Sequence, residues 1–148
     1  MHAPEPQSSQ HKRPIGIVLL ALFFAFGAVM SALAAFMLLV PHSALEPLWQ
    51  LNPHAREGLT GLGLTAIILM AIVCAACATA AVGLWRVARW GYWTALGILT
   101  INVIGDTTNG IVNHDWRTLI GIPIGGAMLA YLIVRRQAFT PNRFPLQR

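Results

Sequence analysis

The chain has 148 residues, of which 10% are charged and 56% apolar, with a formal charge of +5. A soluble domain of this size carries about 25% charged residues, so a water-solvated globule is excluded and a chain solvated largely by lipid is expected. A pI near 10.3 invites a nucleic-acid reading, but the basic residues stand in short clusters beside long uncharged runs, which argues against it.

In chain order, residues 1–13 form a polar N-terminal tail whose first ten residues show no apolar periodicity and are expected to be disordered alone. The uncharged run Pro14 to Leu45 follows. About 20 apolar residues cross roughly 30 Å of hydrocarbon, so a first span is predicted at about 14–40. Pro14 suits the first helical position, where its missing N–H costs nothing. Gly27, Ser31 and Ala35 recur every fourth residue and form a small-residue ridge for close helix approach. The basic start and Ala32-Leu33-Ala34 imitate a cleavable signal peptide. The apolar run continues to Val40, so a retained signal anchor is expected.

An outer loop is predicted at 41–57. Ser43 with Glu46 resembles a capping box, though Pro47 makes a regular helix awkward. Leu48, Trp49 and Leu51 are expected on the membrane surface, Trp49 at headgroup depth. Asn52-Pro53 reads as an N-cap and first helical residue, leaving His54, Arg56 and Glu57 on an exposed turn. The second span, about 58–85, carries the ridge Ala71, Ala75, Thr79 and Gly83. Its Cys74 and Cys77 read as small packing residues, since no other Cys exists and no His lies at that depth; a lone pair is half a zinc site.

The short turn Arg86 to Arg89 makes spans two and three antiparallel neighbours. Trp85, Trp90, Tyr92 and Trp93 supply an aromatic belt on this basic side. The third span, about 90–112, reaches full length only by continuing past Asp106. The fourth, about 117–135, opens with Asp115 as N-cap and Trp116 as the outer aromatic. Gly121 and Gly125 make a G-x-x-x-G within it, with Pro123 between them bending the helix slightly. Residues 137–148 form the second tail. The expected fold is thus an all-α, four-transmembrane-helix bundle.

Positive charge sets its orientation. Lys12 and Arg13 precede span one, Arg86 and Arg89 join spans two and three, and Arg135, Arg136, Arg143 and Arg148 follow span four. Eight of the ten basic residues therefore share one side, against Arg56 and Arg117 on the other. Both termini are expected to be cytoplasmic.

Asn102, Asp106, Asn109 and Asn113, spaced by four, three and four, fall on one helical face of span three. A charge at membrane depth costs about 2.5–3.5 kcal/mol on insertion scales, so Asp106, in the outer third, must face the bundle, a water-filled recess or a partner. Arg117 is the nearest cation in sequence, with His114 beside it; His42 and His54 could reach the same region as outer-face ligands. Two readings stand. In one, Asp106 binds or relays a proton or cation, with the asparagines as neutral ligands. In the other, it pairs with Arg117 or caps broken backbone near Gly105 or Gly110, while the asparagines hold helices together. Gly27, Ser31, Ala71, Ala75, Gly121 and Gly125 are the expected packing positions.

No phosphate loop, zinc-helix motif or nucleophile elbow is present. The histidines His2, His11, His42, His54 and His114 all fall in tails or loops, so no axial ligand exists for a mid-membrane haem. No catalytic residue, cofactor, metal or nucleic-acid partner is expected. Asp106 is the only acid on which a small transporter could run, and span one lacks the embedded Glu of proteins that resemble small multidrug exporters. Gly105-Asp106-Thr107-Thr108-Asn109, the stretch Asp115 to Gly121, and Leu48-Trp49-Gln50-Leu51-Asn52-Pro53 resemble small four-span bacterial inner-membrane proteins to which no activity is attached. The resemblance covers at most Pro41 to Arg136 and implies a bacterial inner membrane. The expected role is a non-catalytic accessory or structural subunit packing in a larger membrane complex or on itself; the alternative is a proton- or cation-coupled transporter.

Overall fold

The computed structural model describes residues 14–41, 43–51, 53–113 and 116–139, and for residues 51, 54, 55, 109, 112, 113 and 116–120 the backbone alone. These residues form helices and connecting turns, with no strand among them: α1 (Ile15–Leu39), a 3-10 turn (Glu46–Leu51), α2 (Pro53–Leu62), α3 (Leu64–Trp85), α4 (Arg89–Asn113), α5 (Trp116–Val134) and a second 3-10 turn (Arg136–Phe139). Two of the helices, α1 and α3, are long and apolar enough to cross a membrane. Large side chains are exposed along the middle of both: Phe26 is 65% and Ile72 60% exposed. α1 runs without a break through Ala32-Leu33-Ala34.

The region 41–57, expected as a loop, is partly helical. Pro53 is the first residue of α2, and the 3-10 turn Glu46–Leu51 precedes it; His54 therefore lies on a helix rather than in a loop. Ser43 does not form a capping box. Its carbonyl accepts from the Glu46 backbone N–H at 3.0 Å, while its Oγ is buried with no partner among the described residues. Pro47 lacks the N–H that a regular helix would use, so the segment closes as 3-10 instead. Trp49 is buried rather than lying on the surface. Arg56 of α2 donates to Glu46 Oε1 at 2.5 Å, tying α2 back to that turn. The expected span 58–85 is interrupted at Gly63, whose φ of +54° separates α2 from α3. Left-handed backbone suits glycine, which has no Cβ to clash with the carbonyl.

The α3–α4 turn closes as a Schellman motif. The Ala88 N–H donates to the Gly83 carbonyl at 2.9 Å and the Val87 N–H to the Leu84 carbonyl at 3.0 Å. Val87 takes the left-handed position with φ 53°, where glycine is usual. The tight turn brings Gly83 and Gly91 into backbone contact; a Cβ on either would overlap the other's main chain. Helices α3 and α4 are thereby pinned together at this end.

The helices pack chiefly in sequence, α1 on α3, α3 on α4 and α4 on α5, while α1 and α5 barely meet. The Tyr131 ring of α5 lies against Gly16 of α1. The core gathers at the end that holds the α3–α4 turn: Ile17, Leu20 and Phe24 of α1, Cys77, Ala80 and Leu84 of α3, Tyr92, Ala95 and Leu99 of α4, Leu132 of α5, and Phe139. Toward the opposite end buried residues become sparse. Only Trp49, Ala66 and Gly110 are buried there among the described residues, while Ile101 and Ile111 are 70% and 69% exposed. Among the described residues the helices are closely packed at one end and sparsely buried at the other.

Candidate functional site

The polar positions Asn102, Asp106, Asn109 and Asn113 all fall within α4, so one regular helix carries the whole stripe. The side chains of Asn109, Asn113 and Arg117 lie outside the described residues, as do those of His42, His54 and His114. Asp106 is half-buried at the α4–α5 seam, with its carboxylate directly over Gly121 of α5. A side chain at 121 would occupy the space this carboxylate fills. One turn further, a Cβ on Gly125 would stand 2.9 Å from Val103 Cγ2. The G-x-x-x-G of α5 therefore serves as the groove that receives α4, and Asp106 is the polar group seated in it.

Hydroxyl and amide groups behave differently along the long helices. Ser31 donates to the Gly27 carbonyl at 2.9 Å and Thr79 to Ala75 at 2.6 Å. On α4, Thr100 donates to Leu96, Thr107 to Val103 and Thr108 to Ile104, at 2.6–2.9 Å. A hydroxyl on a helix can always return to the carbonyl four residues back, so it can face an apolar medium already satisfied. A carboxylate has no proton to donate when ionised, and a primary amide brings two donors and an acceptor. Neither Asn102 nor Asp106 makes a hydrogen bond or ion pair among the described residues, and Asn102 is exposed. Among the described residues these two groups have no partner, whereas the hydroxyls do.

The expected packing positions divide. Gly27 faces Cys77, whose Sγ lies 3.6 Å from where a Cβ would be, so α1 approaches α3 closely there. Cys74 is half-buried, Cys77 is in the core, and the two are unbridged. Ser31 is half-buried, whereas Ala71 and Ala75 are exposed on the outer face of α3. Gly91 escapes a ridge search because its counterpart Gly83 lies across a turn, not along its own helix. The signal available was the turn length itself, since so short a connection between antiparallel helices forces their ends into contact. Gly97 and Gly105 on α4 have open space where a Cβ would stand, adding two unfilled positions to the exposed face around Ile101.

Comparison with protein-family models, curated protein sequences and solved structures finds no match. Chemistry must be read from the side chains. The seam offers a carboxylate able to bind a proton or a cation, and α4 offers an exposed amide, Asn102, able to hydrogen-bond to another helix.

Proposed function

We propose that the chain is a four-span protein of the bacterial inner membrane with both termini cytoplasmic, and that it acts as a non-catalytic accessory or structural subunit of a larger membrane complex or homo-oligomer. At about 1.5 Å per residue, the 25-residue α4 exceeds and the 19-residue α5 nearly matches the ~30 Å of hydrocarbon, so they join α1 and α3 as spans. Arg86, Arg89, Arg135 and Arg136 flank one end, the end that positive charge assigns to the cytoplasm. The resemblance of residues 41–136 to small four-span proteins favours a bacterial location.

Asn102 carries the assembly reading. It is an exposed amide with no partner among the described residues, on a helix whose neighbouring face holds Gly97, Ile101 and Gly105. Lipid can satisfy none of its donors, whereas a helix packed there can; interhelical hydrogen bonds of this kind contribute on the order of 0.6 kcal/mol each. Size measurement after purification in mild detergent tests it. A particle larger than the monomer is expected, and Asn102→Leu shifts it toward smaller species. A monodisperse monomer with no co-purifying protein would sink the proposal.

The seat of Asp106 at the α4–α5 seam supports a second reading, proton- or cation-coupled transport. It predicts that Asp106→Asn abolishes proton-driven flux in liposomes with folding intact. An Asp106→Asn chain that unfolds or fails to insert would make the residue structural instead.

A further inference from the structure

At the closed end, outside the α4–α5 seam, the turn Arg136–Phe139 folds back onto the first turns of α4. Phe139 is buried, and its ring centroid stands 5.2 Å from that of Tyr92; the Trp93 ring meets Tyr92 edge-on at 5.5 Å. This aromatic anchor brings Arg136 and Arg89 to the lining of one recess. Between them lies a recess of about 310 Å³ lined by Arg89, Tyr92, Trp93, Arg136, Gln137 and Phe139. Its floor is aromatic, with Tyr92 and Phe139 both buried. Its rim carries two guanidiniums from separate elements, a side-chain amide and an indole that is 63% exposed. Among the described residues no carboxylate lines it. The described acids Glu46, Glu57 and Asp106 all belong to the opposite end of the helices.

Orientation alone accounts for arginines at this end, yet it does not require two of them to converge on one concave site. Guanidiniums present paired N–H donors that match two oxygens of a phosphate, and Trp93 stands where an indole sits at headgroup depth. We infer that this recess binds the phosphate of an anionic phospholipid headgroup, such as phosphatidylglycerol, with Arg89 and Arg136 on the phosphate oxygens and Gln137 on the headgroup hydroxyls. Basic pockets between spanning helices on the cytoplasmic side are suited to such headgroups. A choline headgroup would bring its ammonium toward the guanidiniums and is disfavoured. The inference rests on the membrane placement proposed above.

Native mass spectrometry of the full chain released from nanodiscs of mixed phosphatidylglycerol and phosphatidylcholine tests it. Nanodiscs expose both faces, so removing arginines cannot mislead by inverting the topology. Retention of phosphatidylglycerol at least tenfold above phosphatidylcholine is expected, with severalfold loss in Arg89→Gln and in Arg136→Gln and none in Arg56→Gln. Equal retention of both lipids, or retention indifferent to Arg89 and Arg136, overturns the site. Should a variant fold poorly, the native chain decides: short-chain phosphatidylglycerol must displace the retained lipid, while inorganic phosphate at millimolar concentration must not. Displacement by inorganic phosphate alone assigns the recess to free phosphate and overturns the lipid. A chain that does not enter nanodiscs at all refutes the membrane placement, a result distinct from any of these.

Discussion

Gly83 and Gly91 meet backbone to backbone, so a methyl group on either has nowhere to go but into main chain. Gly97 and Gly105, on the same helix as Gly91, face open space. Alanine should therefore sort the four. Gly83→Ala and Gly91→Ala are expected to destabilise by about 1–3 kcal/mol, the usual cost of overpacking. Gly97→Ala and Gly105→Ala should be neutral or favourable, since alanine is the better helix former by about 1 kcal/mol. Thermal unfolding in detergent checks the ranking, and equal effects at all four sites would refute the contact. Val87 offers a test of sign. Its left-handed backbone places a β-branched residue where a Cβ is unwelcome. Val87→Ala and Val87→Gly both delete the methyls that pack against the core, but only glycine relieves the backbone. Glycine is expected to be more stable than alanine there by about 1 kcal/mol, the reverse of their order in a helix interior.

Among the elements, α4 stands apart from α1 and α3, because it is as long as α1 yet carries Asp106 beyond its midpoint. Replacing Asp106 with leucine should favour membrane insertion of the isolated α4 segment by about 3 kcal/mol. A translocon-insertion assay with glycosylation reporters measures the inserted fraction, which should rise from partial to nearly complete. An unchanged fraction would mean that Asp106 does not lie at membrane depth. The all-helical character is legible in the sequence because uncharged runs of helical length are separated by Arg, Pro and Asn. The break at Gly63 is not legible. Glycine is common in apolar helices, and nothing local separates one at φ +54° from Gly61 inside α2. The left-handed turn is equally hidden, since Val87 is the wrong residue for it. The candidate stripe is legible as a spacing on one helix, but its seat on Gly121 is not, because that contact joins residues on two different helices.

For the molecule as a whole, the asymmetry between its ends is the feature that periodicity could not show. In a helix that spans a membrane, side chains facing lipid would be as apolar as those facing the core, so α1 and α3 read alike on every face. Only the fold reveals that burial is concentrated near the α3–α4 turn. Two classes of truncation should then behave differently. Leu84→Ala and Leu99→Ala remove fully buried side chains at the closed end and are expected to lower monomer stability by about 2–5 kcal/mol. Ile68→Ala and Ile104→Ala remove side chains that are 53% and 60% exposed in the loosely packed half. In the detergent-solubilised monomer they should matter little, because detergent replaces what the monomer never buried. In the assembled particle proposed above they should matter as much as core truncations, because a neighbouring helix would cover them there. The comparison is one of unfolding midpoints before and after dissociation to monomer. Should Ile68→Ala and Ile104→Ala be silent in both states, the loose half faces only lipid and the assembly surface must be sought elsewhere.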